Sequence, residues 1–288
     1  MQEVSSDQLR EKLTEILETW PLYREFVYTG AADVFRMPER IQLLCASCGT
    51  KQFWRTQLAQ GENNRNGFSQ KLYNCSCNRQ NIQFYFFWKP EGQSCRFFKV
   101  GQYPPLDESI NSALEKMLDE QDLKFYRNAI RLRNFNLGLG AVAYMRRVVE
   151  NRMNDILDLV HELAVQDNWG TNLMAQFEDI RKDPRFSTKV EYAAKLIPLR
   201  LYPEGLPNPI GILHALTSDG LHARSEEECV DIFDRCKLVF EYLFANLRPS
   251  IEDAKAFRLA LAALTQKQAT KAGPIPNESD VKTLTAAE

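Results

Sequence analysis

The chain has 288 residues, of which 44% are hydrophobic, 26% charged and 11% aromatic, and its formal net charge is −2. This composition is typical of a soluble globular protein, so it excludes a fibrous chain and a wholly disordered one. No run of 18 apolar residues occurs, and the first residues form neither a basic nor an apolar segment, so we expect no membrane-spanning helix and no secretory signal. These features predict a cytoplasmic protein with one large domain or two modest ones.

The first predicted element is a helix over residues 5–20. Leu9, Leu13 and Leu17 recur at helical spacing, and Pro21 follows the last turn. This helix belongs to a predicted N-terminal helical segment, residues 1–40.

Four of the seven cysteines come next, as Cys45-x-x-Cys48 and Cys75-x-Cys77. An odd total and close paired spacing disfavour a disulfide framework, whereas two turns that each supply two thiolates suit a tetrahedral zinc site. The sequence therefore predicts a structural Zn²⁺ ion bound by these four cysteines. Because the second pair is one residue shorter than the usual C-x-x-C, Cys95 could replace Cys75 or Cys77. The metal-free alternative is a group of four buried, reduced thiols.

Short apolar and aromatic runs around these cysteines predict β-strands. They are Ile41–Leu44, Lys71–Asn74, Ile82–Trp88 and Arg96–Val100. A polar stretch with a glycine at each end, residues 61–67, predicts a hairpin tip between them. Two hairpins joined by one metal ion make a zinc ribbon over residues 41–105. A ribbon of this size has little core of its own, so we expect the metal to supply much of its folding free energy.

Helical periodicity dominates from residue 107 onward and predicts a helical domain over residues 106–265. Its predicted helices cover residues 139–165, 189–197, 210–216, a segment from Ser225 to about Leu247 that ends before Pro249, and 251–265. Ser225 and Glu228 have the spacing of a capping box at the start of the fourth of these helices. The polar, proline-containing residues 266–288 predict a disordered tail.

The small net charge is the sum of two basic segments and an acidic remainder. The segment from Lys51 to Lys99 has an excess of six basic residues, as does the segment from Lys124 to Arg152, so the remainder carries −14. Basic segments with interleaved aromatic residues (Phe53, Trp54, Tyr73 and Tyr85) favour binding to the phosphate backbone of RNA or DNA, with stacking on bases. The candidate contacts are Lys51, Arg55, Arg79, Arg127, Arg131 and Arg133. Alternatively, these cations pair with acidic helices of the same domain.

Two groups of residues could carry chemistry. On the predicted long helix, Arg146 and Glu150 can pair at i,i+4, and Arg146 and Arg147 could clamp an anion or form a structural salt bridge. His222 follows Gly220, so it could sit just before a helix N-terminus and act as a general acid or base. Otherwise the His222 ring only hydrogen-bonds a loop carbonyl.

Residues 135–151 (FNLGLGAVAYMRRVVEN) and 212–233 (ILHALTSDGLHARSEEECVDIF) together resemble a bacterial family with an N-terminal zinc ribbon and a HEPN-like helical domain. The resemblance implies a mainly α fold, a HEPN-like helical bundle with a small β zinc-ribbon module, that assembles as a homodimer. HEPN ribonucleases use an arginine followed by four to six residues and a histidine. Here only His222 matches, because the motif arginine is absent. The resemblance also implies a role in prokaryotic antiphage defence or stress response.

The function most favoured by the sequence is a zinc-binding module that binds nucleic acid or a partner protein. A second hypothesis is a metal-independent HEPN-type endoribonuclease, with His222 as the general base and Arg146 and Arg147 as phosphate clamps. A third is a protein–protein adaptor that does not bind nucleic acid.

Overall fold

The structure is a computed structural model that describes residues 5–29, 37–56, 67–166, 175–197, 208–218 and 224–271. The chain divides into two compact units. The first combines Met1–Asn151 with Leu213–Phe240, and the second combines Arg152–Ile212 with Glu241–Glu288. Each unit therefore draws on two separate stretches of the chain.

The first unit is built around one antiparallel sheet of six strands. The strands are β1 (Phe26–Thr29), β2 (Arg40–Cys45), β3 (Thr50–Thr56), β4 (Phe68–Cys75), β5 (Asn81–Glu91) and β6 (Ser94–Tyr103). Their order across the sheet is β1-β6-β5-β4-β3-β2, so β2 to β6 form a meander and β1 adds to its far edge.

The predicted fold class, a mainly α HEPN-like bundle with a small zinc ribbon, is wrong. A six-stranded antiparallel sheet, not a minor module, occupies the N-terminal half, and most of the helices follow it. The physical reason is that the two predicted hairpins do not stand alone. β3 pairs with β4 from Trp54↔Cys75 to Thr56↔Tyr73, and this pairing joins the β2–β3 and β4–β5 hairpins into one continuous hydrogen-bonded sheet.

The inner face of this sheet has a hydrophobic core of its own. Helix α1 (Ser6–Thr19) buries Leu9, Leu13, Ile16 and Leu17, as its predicted periodicity requires. The strands contribute fully buried aromatic residues, including Tyr73, Phe84, Phe86 and Phe97. Burying each such side chain stabilises the fold by about 1.5–3 kcal/mol. Apolar burial therefore contributes to the stability of this region in addition to any bound metal.

Three more helices of the first unit follow the sheet. They are α2 (Ser112–Met117), α3 (Glu120–Asn134) and α4 (Gly138–Asn151). The start of α4 lies so close to the first turn of the last helix that a Cβ at position 138 would collide with backbone atoms of Glu226 and Val230. The Leu139 backbone N–H donates to Glu226 Oε2 at 2.9 Å, which satisfies one amide at this helix N-terminus.

The remaining helices are α5 (Met153–Gln166), α6 (Phe177–Lys182), α7 (Phe186–Leu196), α8 (Pro209–Ser218) and α9 (Glu226–Lys271). The predicted helix over 139–165 is two helices, α4 and α5, separated by Arg152. The predicted end before Pro249 is absent, since α9 continues through this position to Lys271. Within a helix a proline removes one backbone hydrogen bond and introduces a steric clash with the preceding turn. Because its φ angle is that of a helix, it does not always end the helix.

The predicted capping box at the start of α9 is confirmed. Ser225 N donates to Glu228 Oε2 at 2.9 Å, and Glu228 N donates to Ser225 Oγ at 3.2 Å. Within the described residues, no helix combines the length and the apolarity that crossing a bilayer requires.

Candidate metal centre

Two turns at the same end of the sheet carry the four cysteines. β2 to β5 are consecutive antiparallel neighbours, so the β2–β3 and β4–β5 turns lie at the same end of the strands. Cys45 is the last residue of β2, and Cys75 is the last residue of β4. Gly49 and Asn78 follow the second cysteine of each pair with φ of 69° and 57°, a left-handed conformation that glycine and asparagine tolerate best.

Backbone hydrogen bonds hold both turns in shape. The amides of Cys48 and Gly49 donate to the carbonyl of Cys45 at 3.1 and 2.9 Å, and the amide of Asn78 donates to the carbonyl of Cys75 at 2.8 Å. The amide of Gly49 and the amide of Asn78 each donate to the carbonyl of the first cysteine of their pair. The two turns are therefore closed by the same kind of hydrogen bond, although the second cysteine pair is one residue shorter. In both turns a left-handed residue directly after the second cysteine reverses the chain.

The four sulfur atoms form a compact cluster. All of them lie within 4.8 Å of one another, and the Sγ atoms of Cys45 and Cys77 are 3.8 Å apart. A tetrahedral ion with metal–sulfur bonds of about 2.3 Å requires sulfur–sulfur separations of about 3.8 Å, whereas a disulfide requires about 2.05 Å. All four cysteines are free thiols, with Cys45 and Cys75 buried and Cys48 and Cys77 half-buried. The cluster could therefore hold a metal ion.

The thiols of this cluster differ in acidity for identifiable reasons. A hydrogen bond from the backbone N–H of Arg79 lowers the pKa of Cys77 to about 7. Hydrogen bonds with the Cys77 and Cys45 thiols raise the pKa of Cys48 to about 12, and burial raises the pKa of Cys75. Cys77 therefore loses its proton more readily than Cys48 and Cys75, and a bound divalent cation would favour the thiolate form of each ligand.

Cys95 does not belong to the cluster. It lies on β6 opposite Pro90, near the far end of β5, whereas the cluster lies beside the start of that strand. At about 3.3 Å per residue, the distance along the strand is roughly 30 Å. Among the described residues, the four cysteines of the two turns are the only group of three or more cysteine, histidine or acidic side chains placed to hold a metal ion.

The predicted phosphate contacts divide into two groups. Arg127 pairs with Glu115 at 2.9 Å, Arg131 with Glu108 at 2.7 Å, and Arg133 with Asp234 at 2.6 Å. These three cations of α3 thus have carboxylate partners, as the alternative interpretation expected. The other three cations, Lys51, Arg55 and Arg79, are exposed on the cysteine-bearing strands and turn, and none of them is in an ion pair within the described part of the chain.

Strand alternation separates the four interleaved aromatic residues. Phe53 and Tyr85 are exposed, while Trp54 and Tyr73 are buried in the core. The indole of Trp54 donates to Leu43 O at 3.1 Å, and the hydroxyl of Tyr73 donates to Pro38 O at 2.6 Å, so both buried rings have structural partners.

Arg40 is a further cation on the outer face of the sheet that the sequence analysis did not single out. The guanidinium carbon of Arg40 lies 3.3 Å from the centroid of the Phe53 ring, on the outer face of the neighbouring strand. The alternation of RIQLLC, with Ile41 and Cys45 buried, is the signal that would have placed Arg40 outside.

A polar cavity beside the cysteine cluster was also missed. It has a volume of about 410 Å³ and is lined by Arg55, Thr56, Asn74, Cys75, Ser76 and Asn78. Ser76 is fixed by its amide and hydroxyl, which donate to Phe53 O at 3.0 and 2.7 Å. The alternating polar residues of the segment NCSCN, residues 74–78, were the sequence signal for this lining.

Of the residues predicted to carry catalysis, the structure describes Arg146 and Arg147. Arg146 pairs with Glu150 at 2.8 Å, and Arg147 is exposed on the next position of α4. The side-chain amide of Asn151, the last residue of α4, donates to Asp122 Oδ1 at 2.7 Å. His222 lies outside the described residues.

Comparison with known proteins gives no match to a family model, to a curated protein or to a solved structure. The expectations that rest on the resemblance alone, a homodimer and a role in antiphage defence or stress response, stay predictions.

Proposed function

We propose that this chain is a zinc-binding module that binds nucleic acid through the basic surface beside the metal. The observation that carries the proposal is the cluster of four thiols within 4.8 Å on two adjacent turns. A ligand set made only of thiolates in a tetrahedral arrangement favours Zn²⁺ or an iron–sulfur centre. With four protein ligands no coordination position stays open for water, so the metal is structural and the binding surface carries the function.

The charge of the metal-bearing strands supports nucleic acid as the partner. Residues 40–56 and 68–90 contain no aspartate or glutamate. The same segments contain six basic residues, Arg40, Lys51, Arg55, Lys71, Arg79 and Lys89. Such a stretch attracts the phosphate backbone and releases its counterions. The arginines of α3 contribute less, because carboxylates already neutralise them.

Metal analysis of the purified protein tests the first half of the proposal. We expect about one zinc per chain, and cobalt substitution should give the absorption of a tetrahedral thiolate site. Cys48→Ala should lose the metal, while Cys236→Ala, a buried cysteine on α9, should keep it. Protein without stoichiometric metal, or equal metal content in both variants, would contradict the proposed site.

Binding to labelled RNA and DNA, followed by fluorescence anisotropy between about 50 and about 300 mM salt, tests the second half. The double variant Lys51→Ala, Arg55→Ala should bind more weakly, with a smaller salt slope by about one for each lost phosphate contact. The matched control Arg127→Ala, Arg131→Ala removes the same charge from α3 and should bind nearly as the wild type does. Salt-independent binding would exclude phosphate recognition, and absence of any binding would favour the adaptor hypothesis.

A further inference from the structure

The outer face of the sheet presents aromatic rings next to its cations. Phe53 on β3 and Tyr85 on β5 are 41% and 39% exposed. Leu72 and Phe68 of the intervening strand β4 are also exposed on this face, 37% and 59% respectively. These four residues, which we call the aromatic face, lie on the outer face of three neighbouring strands.

Cations frame this surface on the β2–β3 side. Arg40 lies over one side of the Phe53 ring and leaves the rest of the ring exposed. Arg40 and Arg55 are direct cross-strand neighbours, and Lys51 lies further along the same face of β3. Exposed rings beside arginine and lysine are typical of surfaces that stack bases and bind phosphates.

The polar cavity continues this surface between β3 and β4. Its lining offers one guanidinium, from Arg55, together with the amides of Asn74 and Asn78 and the hydroxyls of Thr56 and Ser76. A cation with amide and hydroxyl groups can bind a phosphate and the polar edge of a base. Its volume of about 410 Å³ lies in the range of small-ligand sites.

We infer that the aromatic face and the polar cavity bind single-stranded nucleic acid in preference to a duplex. The inference rests on the proposed function and specifies its substrate class. In a duplex the bases stack on one another, so their faces are not available to Phe53 and Tyr85, whereas unpaired bases can stack on these rings. Arg40, Lys51 and Arg55 would then bind the phosphates of the same strand.

Anisotropy titrations with a single-stranded oligonucleotide and with its duplex, using the metal-loaded full chain, test this inference. We expect the single strand to bind at least tenfold more tightly than the duplex. Phe53→Ala and Tyr85→Ala should each weaken binding of the single strand by roughly 5- to 100-fold, because one stacked base is lost. Tyr85→Phe keeps the ring and should restore binding. Tyr242→Ala, which removes a ring that is 49% exposed on α9, is the matched control and should bind as the wild type does.

The preference for a single strand and the binding of nucleic acid as such predict different outcomes. Equal affinity for the single strand and the duplex, without an effect of the Phe53 and Tyr85 variants, would overturn the inference and leave the proposed function standing. Failure to bind either nucleic acid would overturn both. Unchanged metal content and circular dichroism in each variant show that a loss of binding is not a loss of folding.

Discussion

Replacing Lys99 with methionine should remove a pH dependence of stability that this one buried side chain imposes. Lys99 on β6 is 1% exposed and points into the core beneath α1. Its Nζ donates to Leu17 O at 3.3 Å, a carbonyl in the last turn of α1, and lies 5.6 Å from the centroid of Phe84. Burial, together with the positive charge of Arg133, lowers the pKa of Lys99 from 10.5 to about 7. The folded protein therefore destabilises the ammonium form.

The magnitude follows from proton linkage. Each pKa unit corresponds to about 1.36 kcal/mol, so the full shift of Lys99 corresponds to about 5 kcal/mol. The unfolded chain binds more protons than the folded one between pH 7 and 10.5, so the free energy of unfolding rises with pH in this window. From about pH 6.5 to about pH 9.5 this contribution changes by about 3 kcal/mol. Methionine at position 99 removes this pH-dependent contribution. It also removes the hydrogen bond to Leu17 O, and the loss of that bond costs about 1–3 kcal/mol.

Urea unfolding of the wild type and of Lys99→Met across this pH range measures the effect. We expect the variant to be more stable by about 2 kcal/mol near pH 6.5, and the difference to vanish or reverse near pH 9.5. Other titrating groups are common to both proteins and cancel in the difference. Lys124→Met, at an exposed position of α3, is the control and should follow the wild type at every pH. Parallel curves for wild type and Lys99→Met would refute the reasoning, because they would mean that Lys99 stays charged in the folded protein.

Three further changes test the packing of the first unit by urea unfolding. Gly138→Ala should lower the free energy of unfolding by about 1–3 kcal/mol, because the new Cβ meets rigid backbone. Gly211→Ala has open space and should stabilise α8 by about 0.5–1 kcal/mol. Equal effects of the two variants would contradict the close approach of α4 to α9 at position 138. Ser225→Ala should cost about 0.5–2 kcal/mol through loss of the capping box, and a neutral result would argue against that cap. Arg133→Ala should lower the free energy of unfolding by about 1.5–3 kcal/mol, since the Arg133 guanidinium donates to both carboxylate oxygens of Asp234 and to Thr19 O. Arg131→Ala removes an exposed ion pair and should lower it by less than about 1 kcal/mol. Similar losses for the two arginine variants would mean that the partly buried pair has no special role.

Local signals in the sequence predicted the cluster of four cysteines and several helix ends correctly. The four cysteines, the capping box at Ser225 and the apolar face of α1 each depend on residues a few positions apart. The same kind of reasoning missed β3 and β1, and β1 is a strand of four residues whose pairing partner lies elsewhere in the chain. Phe26 on β1, for example, pairs with Phe97 on β6. Pattern alone also could not tell which aromatic residues face solvent until the register of Trp54 and Tyr73 was known.

The sequence by itself determined that two cysteine pairs would form turns, that basic residues would concentrate in two segments, and where α1 and α9 begin. Only the tertiary structure decided that these turns meet at one end of a six-stranded sheet and that the cations of α3 are already paired. The physical reason is distance along the chain. A cap or a turn is fixed by hydrogen bonds within a few residues, whereas the pair of Arg133 with Asp234 joins residues 101 positions apart. Which cations stay available for a phosphate is therefore a property of the folded chain, and the fold leaves Lys51, Arg55 and Arg79 near the cysteine cluster without an ion pair among the described residues.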